Sequence, residues 1–111
     1  MTYAESLTYL EALGTELKGR KFGLEKIRLL LQALGSPERT IRSVLVAGTN
    51  GKGSTSAFLA GILSRSGIRT GLFTSPHLVR VNERIQVDGG EISDDGFAAA
   101  FSRVAQQAER L

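Results

Sequence analysis

The sequence predicts an α/β fold, in which part of a parallel sheet is flanked by helices in three layers and is followed by a β-hairpin. Residues 44–47 form a short apolar run, and a glycine-rich loop and an apolar pattern at helical spacing follow it. A second short strand is predicted over residues 68–73. Strand, helix and strand together form a βαβ unit, whose strands run parallel with a right-handed crossover.

Composition narrows the class of protein. The 111 residues allow one domain at most, and the apolar fraction of 41% is ordinary for a globular chain. No apolar run approaches the roughly 18 residues that a membrane-spanning helix needs. The first six residues lack the basic stretch of a secretory signal, and there is no cysteine for a disulfide or a thiolate metal site. We therefore expect a cytosolic protein with no membrane partner.

The formal charge of +3 is mild, and the arginines are scattered along the chain. Scattered charge is typical of a solvated surface, although it also helps to attract a polyanionic ligand. A small basic nucleic-acid-binding domain is one alternative, which salt-dependent binding would test. Because the arginines do not cluster and aromatic residues are few, we expect no nucleic-acid partner.

Two amphipathic helices are predicted before the glycine loop. The first covers residues 4–17, and its apolar face carries Leu7, Leu10, Leu13 and Leu17. A polar break at residues 18–21 separates it from the second, over residues 23–34, whose buried face is predicted to be Leu24, Ile27, Leu30, Leu31 and Leu34. Gly35 is predicted to end this second helix, and Pro37 prevents its resumption.

The elements after the glycine loop follow the same patterns. A helix over about residues 52–66, ended by Gly67, is predicted to bury Phe58, Leu59, Ile62 and Leu63. Residues 74–78 form a turn, and residues 79–87 lead into a half-buried strand. Residues 88–90 form a second turn, from which residues 91–92 return as a hairpin arm. Ser93 is predicted to cap the last helix, whose core positions are Phe97, Phe101, Val104, Ala108 and Leu111.

The segment S-V-L-V-A-G-T-N-G-K-G-S-T, residues 43–55, has the features of a phosphate-binding loop. Its three glycines leave the backbone N–H groups unobstructed, and such groups can surround phosphate oxygens at the start of a helix. Lys52 can reach the terminal phosphates, and the hydroxyl of Ser54 or Thr55 can bind Mg²⁺. The match to G-x-x-x-x-G-K-[ST] is incomplete, because the loop is short and Gly53 follows the lysine. A glycine-rich turn with a solvated lysine is the alternative interpretation.

A second loop follows the next predicted strand. Because ligands in parallel sheets bind at the carboxyl ends of the strands, we expect residues 48–54 and 74–77 to face each other. Ser75 is either an ordinary turn serine or a second hydroxyl ligand for Mg²⁺. His77 is the one histidine, and a lone loop histidine is more often a surface residue than a catalyst. Arg80 and Arg84 either reach an anionic substrate or are exposed, with Glu83 as a local partner.

The motif V-A-G-T-N-G-K-G-S-T resembles the phosphate loop of the Mur ligase superfamily, and more narrowly that of the folylpolyglutamate synthase and dihydrofolate synthase family. The resemblance extends upstream through residues 22–27, F-G-L-E-K-I. Downstream it includes T-S-P-H-L at 74–78 and N-E-R-I at 82–85, so it covers nearly the whole chain. It implies a fold like the P-loop central domain of the Mur ligases.

The resemblance implies a set of site residues. ATP would be held by Thr49, Asn50, Gly51, Lys52, Gly53 and Ser54, with Lys52 on the outer phosphates as the catalytic residue. Mg²⁺ would be held by Ser75 and Ser54. The segment 74–84 looks like the family's mobile loop beside the folate site, which places Pro76, His77 and Arg84 near that substrate.

The family consists of ATP-dependent amide ligases. The resemblance therefore implies that ATP converts a carboxylate of folate or dihydropteroate into an acyl phosphate, from which the amine of L-glutamate displaces phosphate. Family members are several times longer than this chain. We therefore expect residues 1–111 to be the N-terminal fragment of the ATP-binding domain, without the C-terminal glutamate-ligase domain. Such a fragment would be inactive alone and could self-associate, whereas the full-length enzyme would be a monomer.

A stand-alone nucleotide-binding regulatory module is the second alternative. Such a module would share the glycine loop but not the segment Asn82–Ile85, which argues against it. ATP affinity with no response to dihydropteroate or folate would favour it.

Overall fold

The computed structural model describes residues 1–16, 23–77 and 79–111. These residues form two units, one of residues 1–42 with 95–111 and one of residues 43–94. The predictions for Leu17, for residues 18–21, for Phe22 and for Leu78 lie outside the described residues. No helix in the described ranges is both long and apolar enough to cross a membrane.

The first unit contains α1 (Tyr3–Glu16), α2 (Glu25–Ala33), a short 3₁₀ helix (Pro37–Arg39) and most of α4 (Asp94–Ala108). Its core lies on α4, where Phe97, Ala98 and Ala105 are buried. Two edge-on pairs of aromatic rings join α1 to α4. The ring centroids are 5.8 Å apart in the pair Tyr3–Phe97 and 5.6 Å apart in the pair Tyr9–Phe101. Pairs of this kind each contribute about 0.5–1.5 kcal/mol beyond their area burial.

Local hydrogen bonds set the ends of the helices. At the start of α1 the Thr2 amide donates to the Glu5 carboxylate at 2.7 Å, and the Glu5 amide donates to the Thr2 hydroxyl at 3.2 Å, which is a capping box. Hydrogen bonding of the Glu5 carboxylate to the Thr2 backbone, and secondarily to the Thr2 side chain, lowers the pKa of Glu5. At the end of α2 the Ser36 amide donates to the Leu31 carbonyl at 2.8 Å, and Gly35 has φ of +88°. The predicted helix end at Gly35 is therefore confirmed.

The second unit, residues 43–94, contains α3 (Lys52–Arg65) and a sheet of three short strands in the order β1 (Gly71–Phe73), β2 (Ile85–Val87) and β3 (Gly90–Glu91). Both strand pairs are antiparallel, with Phe73 opposite Ile85 and Val87 opposite Gly90. A 3₁₀ helix, Val81–Arg84, occupies the first half of the region that was predicted to lead into β2.

The described residues do not confirm the predicted parallel arrangement, because the strands that they form pair antiparallel. Residues 44–47 are not in a strand and do not pair with residues 68–73 among the described residues. β1 pairs instead with β2, because the chain turns back through residues 74–84 and the Thr74 amide donates to the Arg84 carbonyl at 3.0 Å. An extended segment becomes a strand only when a neighbour accepts its hydrogen bonds, and the described residues offer residues 44–47 no such neighbour.

The β2–β3 hairpin confirms the turn predicted at residues 88–90. Its loop is Asp88–Gly89, with φ of +50° and +84°, the combination that a type I′ hairpin turn requires. The Asp88 carboxylate accepts the Thr70 amide at 2.8 Å and the Ser64 hydroxyl at 3.3 Å. One side chain in the turn therefore ties the end of α3 and the approach to β1 to the hairpin.

The positions of the helices were predicted more accurately than their burial. In α3, Leu59 and Leu63 are half-buried, but Phe58 and Ile62 are 74% and 63% exposed. In α2 no residue is buried, and Leu24 and Ile27 are exposed. In α4, Phe97 is buried and Phe101 half-buried as predicted, whereas three further predicted core positions are exposed: Val104, Ala108 and Leu111. Periodicity identifies an apolar face, but burial also needs a surface to cover it.

Candidate functional site

The glycine loop runs directly into the first turn of α3. Gly51 is the N-cap of that helix and has φ of +74°, a left-handed conformation that costs a residue with a Cβ. The Thr55 amide donates to the Gly51 carbonyl at 2.9 Å, which closes the first helical turn. The amides of residues 52–54 come before the first helical hydrogen bond, so they have no acceptor within the helix. No side chain caps the start of α3.

This arrangement favours an anion. The helix start carries partial positive charge from its aligned peptide dipoles, and Lys52, its first residue, adds an ammonium group. The side chains of Thr49, Asn50, Lys52 and Ser54 are all exposed, so a ligand can approach them from solvent. The sequence-predicted ATP residues therefore form one continuous accessible segment at a helix N-terminus. A polyphosphate fits this geometry because several amides and one ammonium group can share its oxygens.

The second predicted loop follows β1. Ser75 and Pro76 are exposed and joined by a cis peptide bond, and His77 is half-buried. Ser75 comes just after the carboxyl end of β1 and is an exposed residue. That this loop faces residues 48–54 stays a prediction.

His77 and Arg84 contact each other across the loop. The Arg84 Nε–H donates to His77 Nδ1 at 2.7 Å, and both side chains are half-buried. Arg84 also holds the base of the loop through its backbone carbonyl, which accepts the Thr74 amide. The structure therefore brings together two of the residues predicted for the substrate loop.

The other polar residues of this loop are engaged in internal contacts. Glu83 accepts the amides of Val79 and Arg80 at 2.9 and 2.8 Å, so it holds the backbone. The Arg80 guanidinium forms an ion pair with Asp94 at the start of α4. Glu83 is therefore a local partner of the Arg80 backbone, as one alternative allowed, and the Arg80 guanidinium pairs with Asp94.

Asn82 is the first residue of the motif N-E-R-I, and the sequence predicted no separate role for it. It is 1% exposed, and its side-chain amide donates to the Ile92 carbonyl at 2.9 Å and to Asp94 at 3.1 Å. A buried amide that makes two hydrogen bonds joins the loop to the chain between β3 and α4. A polar residue gives no burial signal in the sequence, so this role was missed.

Metal binding by this segment would rely on hydroxyl groups. Residues 1–16, 23–77 and 79–111 contain no group of three or more histidine, cysteine or acidic side chains placed to hold a metal ion. Ser54 and Ser75, the predicted ligands, are both exposed. Hydroxyl oxygens are ligands that Mg²⁺ accepts, with water and phosphate oxygens completing its coordination.

Comparison with known proteins places the fold and the loop in one family. The chain is 45% identical to the dihydrofolate synthase/folylpolyglutamate synthase of Bacillus subtilis (strain 168) over 93 residues, which are 84% of this chain and 22% of that protein. It is 39% identical to the folylpolyglutamate synthase of Lacticaseibacillus casei over all 111 residues, 26% of that protein. No family model matches the sequence.

Solved structures agree with the sequence comparison. A folylpolyglutamate synthetase from Lactobacillus casei superposes on 99% of this chain with a TM-score of 0.87 at 39% identity, and the match covers 27% of that structure. A complex of the same kind of enzyme with AMPPCP and folate superposes with a TM-score of 0.83 at 36% identity. A bifunctional enzyme from Yersinia pestis, complexed with AMPPNP and a Mn ion, gives 0.84 at 33%.

The matches in sequence and in fold cover most of this chain, and the chain belongs to the folylpolyglutamate synthase and dihydrofolate synthase family, as the sequence resemblance indicated. It spans about a quarter of the length of these relatives, 22% and 26% of the two curated proteins.

Proposed function

We propose that this protein provides the ATP-binding segment of an ATP-dependent ligase that adds L-glutamate to folate or dihydropteroate. The observation that carries the proposal is the start of α3, where three amides without helical acceptors lie beside Lys52. The names of the relatives and the AMPPCP and folate complex support it. A stand-alone regulatory module is less favoured, because the match covers 99% of the chain, including the loop before β2.

In the proposed reaction, a substrate carboxylate oxygen attacks the terminal phosphorus of ATP and ADP leaves. The amine of glutamate then attacks the acyl carbon, and inorganic phosphate departs as the amide bond forms. Two anions must approach each other in the first step, so the site has to neutralise charge. Lys52 and the amides of residues 52–54 are suited to that task, since they bind phosphate oxygens and form no covalent bond with them.

A Mg²⁺ ion fits the hydroxyl groups of this segment. Ser54 lies in the first turn of α3 and Ser75 just past β1, and both residues are exposed. When bound, the ion would neutralise phosphate charge and orient the terminal phosphate. The related structure with AMPPNP and Mn supports use of a divalent metal.

The loop over residues 74–84 is proposed to border the pterin or glutamate part of the second substrate. Pro76 and His77 lie on one arm of this loop and Arg84 ends the other. A guanidinium group in such a place can pair with a carboxylate through two parallel hydrogen bonds. The related complex with bound folate supports this proposal.

Residues 1–111 are proposed to be part of a larger ATP-binding domain in which residues 44–47 pair in a parallel sheet. Two observations support this. Val44 and Leu45 are apolar yet 71% and 91% exposed, and the chain matches about a quarter of the length of its relatives. The mass of the full-length gene product tests this proposal, and a product of 111 residues would contradict it.

Glutamate ligation by the full-length gene product tests the proposed function. Lys52→Ala should reduce turnover at least about a hundredfold, the scale of one lost transition-state charge contact. Lys26→Ala on α2 is the matched control, because Lys26 is an exposed lysine outside the glycine loop. Equal turnover in the two variants would refute the role of Lys52, and absence of ligation in the unmodified protein would refute the reaction.

A further inference from the structure

We propose that His77 is a positioning residue that holds the Arg84 guanidinium ready to bind a substrate carboxylate. This inference rests on the proposed function, which brings an anionic substrate to the loop of residues 74–84. It goes further by assigning a role to the imidazole and by separating the roles of the two loop arginines.

The first step is the direction of the hydrogen bond. Arg84 Nε can only donate, so the 2.7 Å contact makes His77 Nδ1 the acceptor and leaves Nε2 as the protonated nitrogen of the neutral ring. Donation from a charged guanidinium makes this bond about twice as strong as a bond between neutral groups. The hydrogen bond fixes the long Arg84 side chain at Nε, close to its charged end.

The second step concerns the two terminal amino groups of the Arg84 guanidinium. With Nε bonded to the imidazole, the two terminal amino groups of Arg84 have no partner among the described residues. These two groups present parallel N–H bonds that match the two oxygens of a carboxylate. Arg80, by contrast, is already paired with Asp94. Of the two loop arginines, Arg84 is therefore the one arranged for a ligand.

The third step concerns the contacts that hold Arg84 in place. Arg84 is tied twice, by its carbonyl to the Thr74 amide at 3.0 Å and by its side chain to His77. Glu83 holds the backbone of the opposite arm through two amides. Because these contacts orient the Arg84 side chain before binding, the substrate does not have to immobilise a flexible arginine, which would weaken the affinity for the substrate.

Two substitutions at His77 separate positioning from mere packing. His77→Asn keeps an acceptor where Nδ1 stands, whereas His77→Leu keeps side-chain volume and removes the acceptor. In the full-length gene product, we expect the Kd for folate to rise about tenfold in His77→Leu and to stay within about threefold in His77→Asn, as one lost charged hydrogen bond predicts. The Kd for ATP should not change in either variant, since residues 49–54 are untouched.

Arg84→Gln should weaken folate binding at least as much as His77→Leu does. Arg103→Gln, an exposed arginine on α4, is the control for the lost charge. The Arg84 Nε–H resonance, observed by NMR, should be present in the unmodified protein and in His77→Asn and be lost or exposed to solvent in His77→Leu.

Three results would overturn the proposal: equal losses in the asparagine and leucine variants, unchanged folate binding in His77→Leu, or parallel loss of folate and ATP affinity, which would indicate a structural role. Absence of folate binding in the unmodified protein would overturn it as well. Failure of the proposed function gives a different result. ATP binding or ligation would then be missing, while folate binding would still be weaker in His77→Leu than in His77→Asn.

Discussion

Replacement of Gly51 by alanine tests the geometry of the glycine loop. Gly51 has φ of +74°, and an added Cβ would meet no atom within 4 Å, so only the backbone conformation opposes it. The left-handed region costs a residue with a Cβ about 1–2 kcal/mol. Alanine also makes the unfolded chain less flexible, which offsets about 0.4–1 kcal/mol. We expect a net loss of about 1 kcal/mol, or roughly 4–8 °C in Tm for a domain of this size.

Gly61→Ala is the matched control for this substitution. Gly61 lies inside α3, and an added Cβ there also meets no atom within 4 Å. Alanine is favoured over glycine inside a helix by about 1 kcal/mol, so this variant should gain stability. Urea unfolding of both variants measures the difference. If Gly51→Ala is as stable as Gly61→Ala, the left-handed N-cap at residue 51 is wrong.

Three further predictions concern the parts that support the site. Asn82→Ala should cost about 1–3 kcal/mol in urea unfolding, because the Ile92 carbonyl loses its buried donor, and a cost below about 0.5 kcal/mol would contradict this role. Asp88→Ala removes the acceptor of a 2.8 Å bond from a backbone amide, so it should cost about 1–2 kcal/mol, while unchanged unfolding would show that the hairpin does not need this tie. The pKa of Glu5 is lowered in the folded chain, so its stabilising contribution is present above the ordinary pKa and is lost as pH falls through the lowered value. Glu5→Gln should flatten that part of the pH–stability curve, and an unchanged curve would count against the capping box with Thr2.

Local signals in the sequence identified the helices and the hairpin well. The ends of α2 and α3 depend on a glycine and on hydrogen bonds within a few residues, and the hairpin depends on Asp88–Gly89. The pairing of strands could not be predicted from such local signals. The sequence shows that residues 44–47 are apolar and predicts a strand there, but which strand would accept their hydrogen bonds depends on residues far along the chain. The exposure of Phe58 has the same origin, because burial needs a covering surface as well as an apolar face.

In the candidate site as well, contiguous residues could be predicted from the sequence, whereas contacts between distant residues could not. The residues proposed to bind ATP are contiguous, so a short motif contains all of them, from Thr49 to Ser54, and they lie around the start of α3. The contact between His77 and Arg84 joins residues seven positions apart through a folded loop, and no periodicity indicates it. The partner of Arg80 was also hidden, since Asp94 belongs to the helix after the hairpin.

Amide chemical shifts of the labelled protein during titration with ATP and Mg²⁺ test the central claim most directly. The account predicts that the largest shifts fall on the amides of residues 51–54, and that Lys52→Gln weakens the binding at least about tenfold. Shifts centred elsewhere, or equal affinity with the lysine removed, would contradict the view that the start of α3 holds the triphosphate.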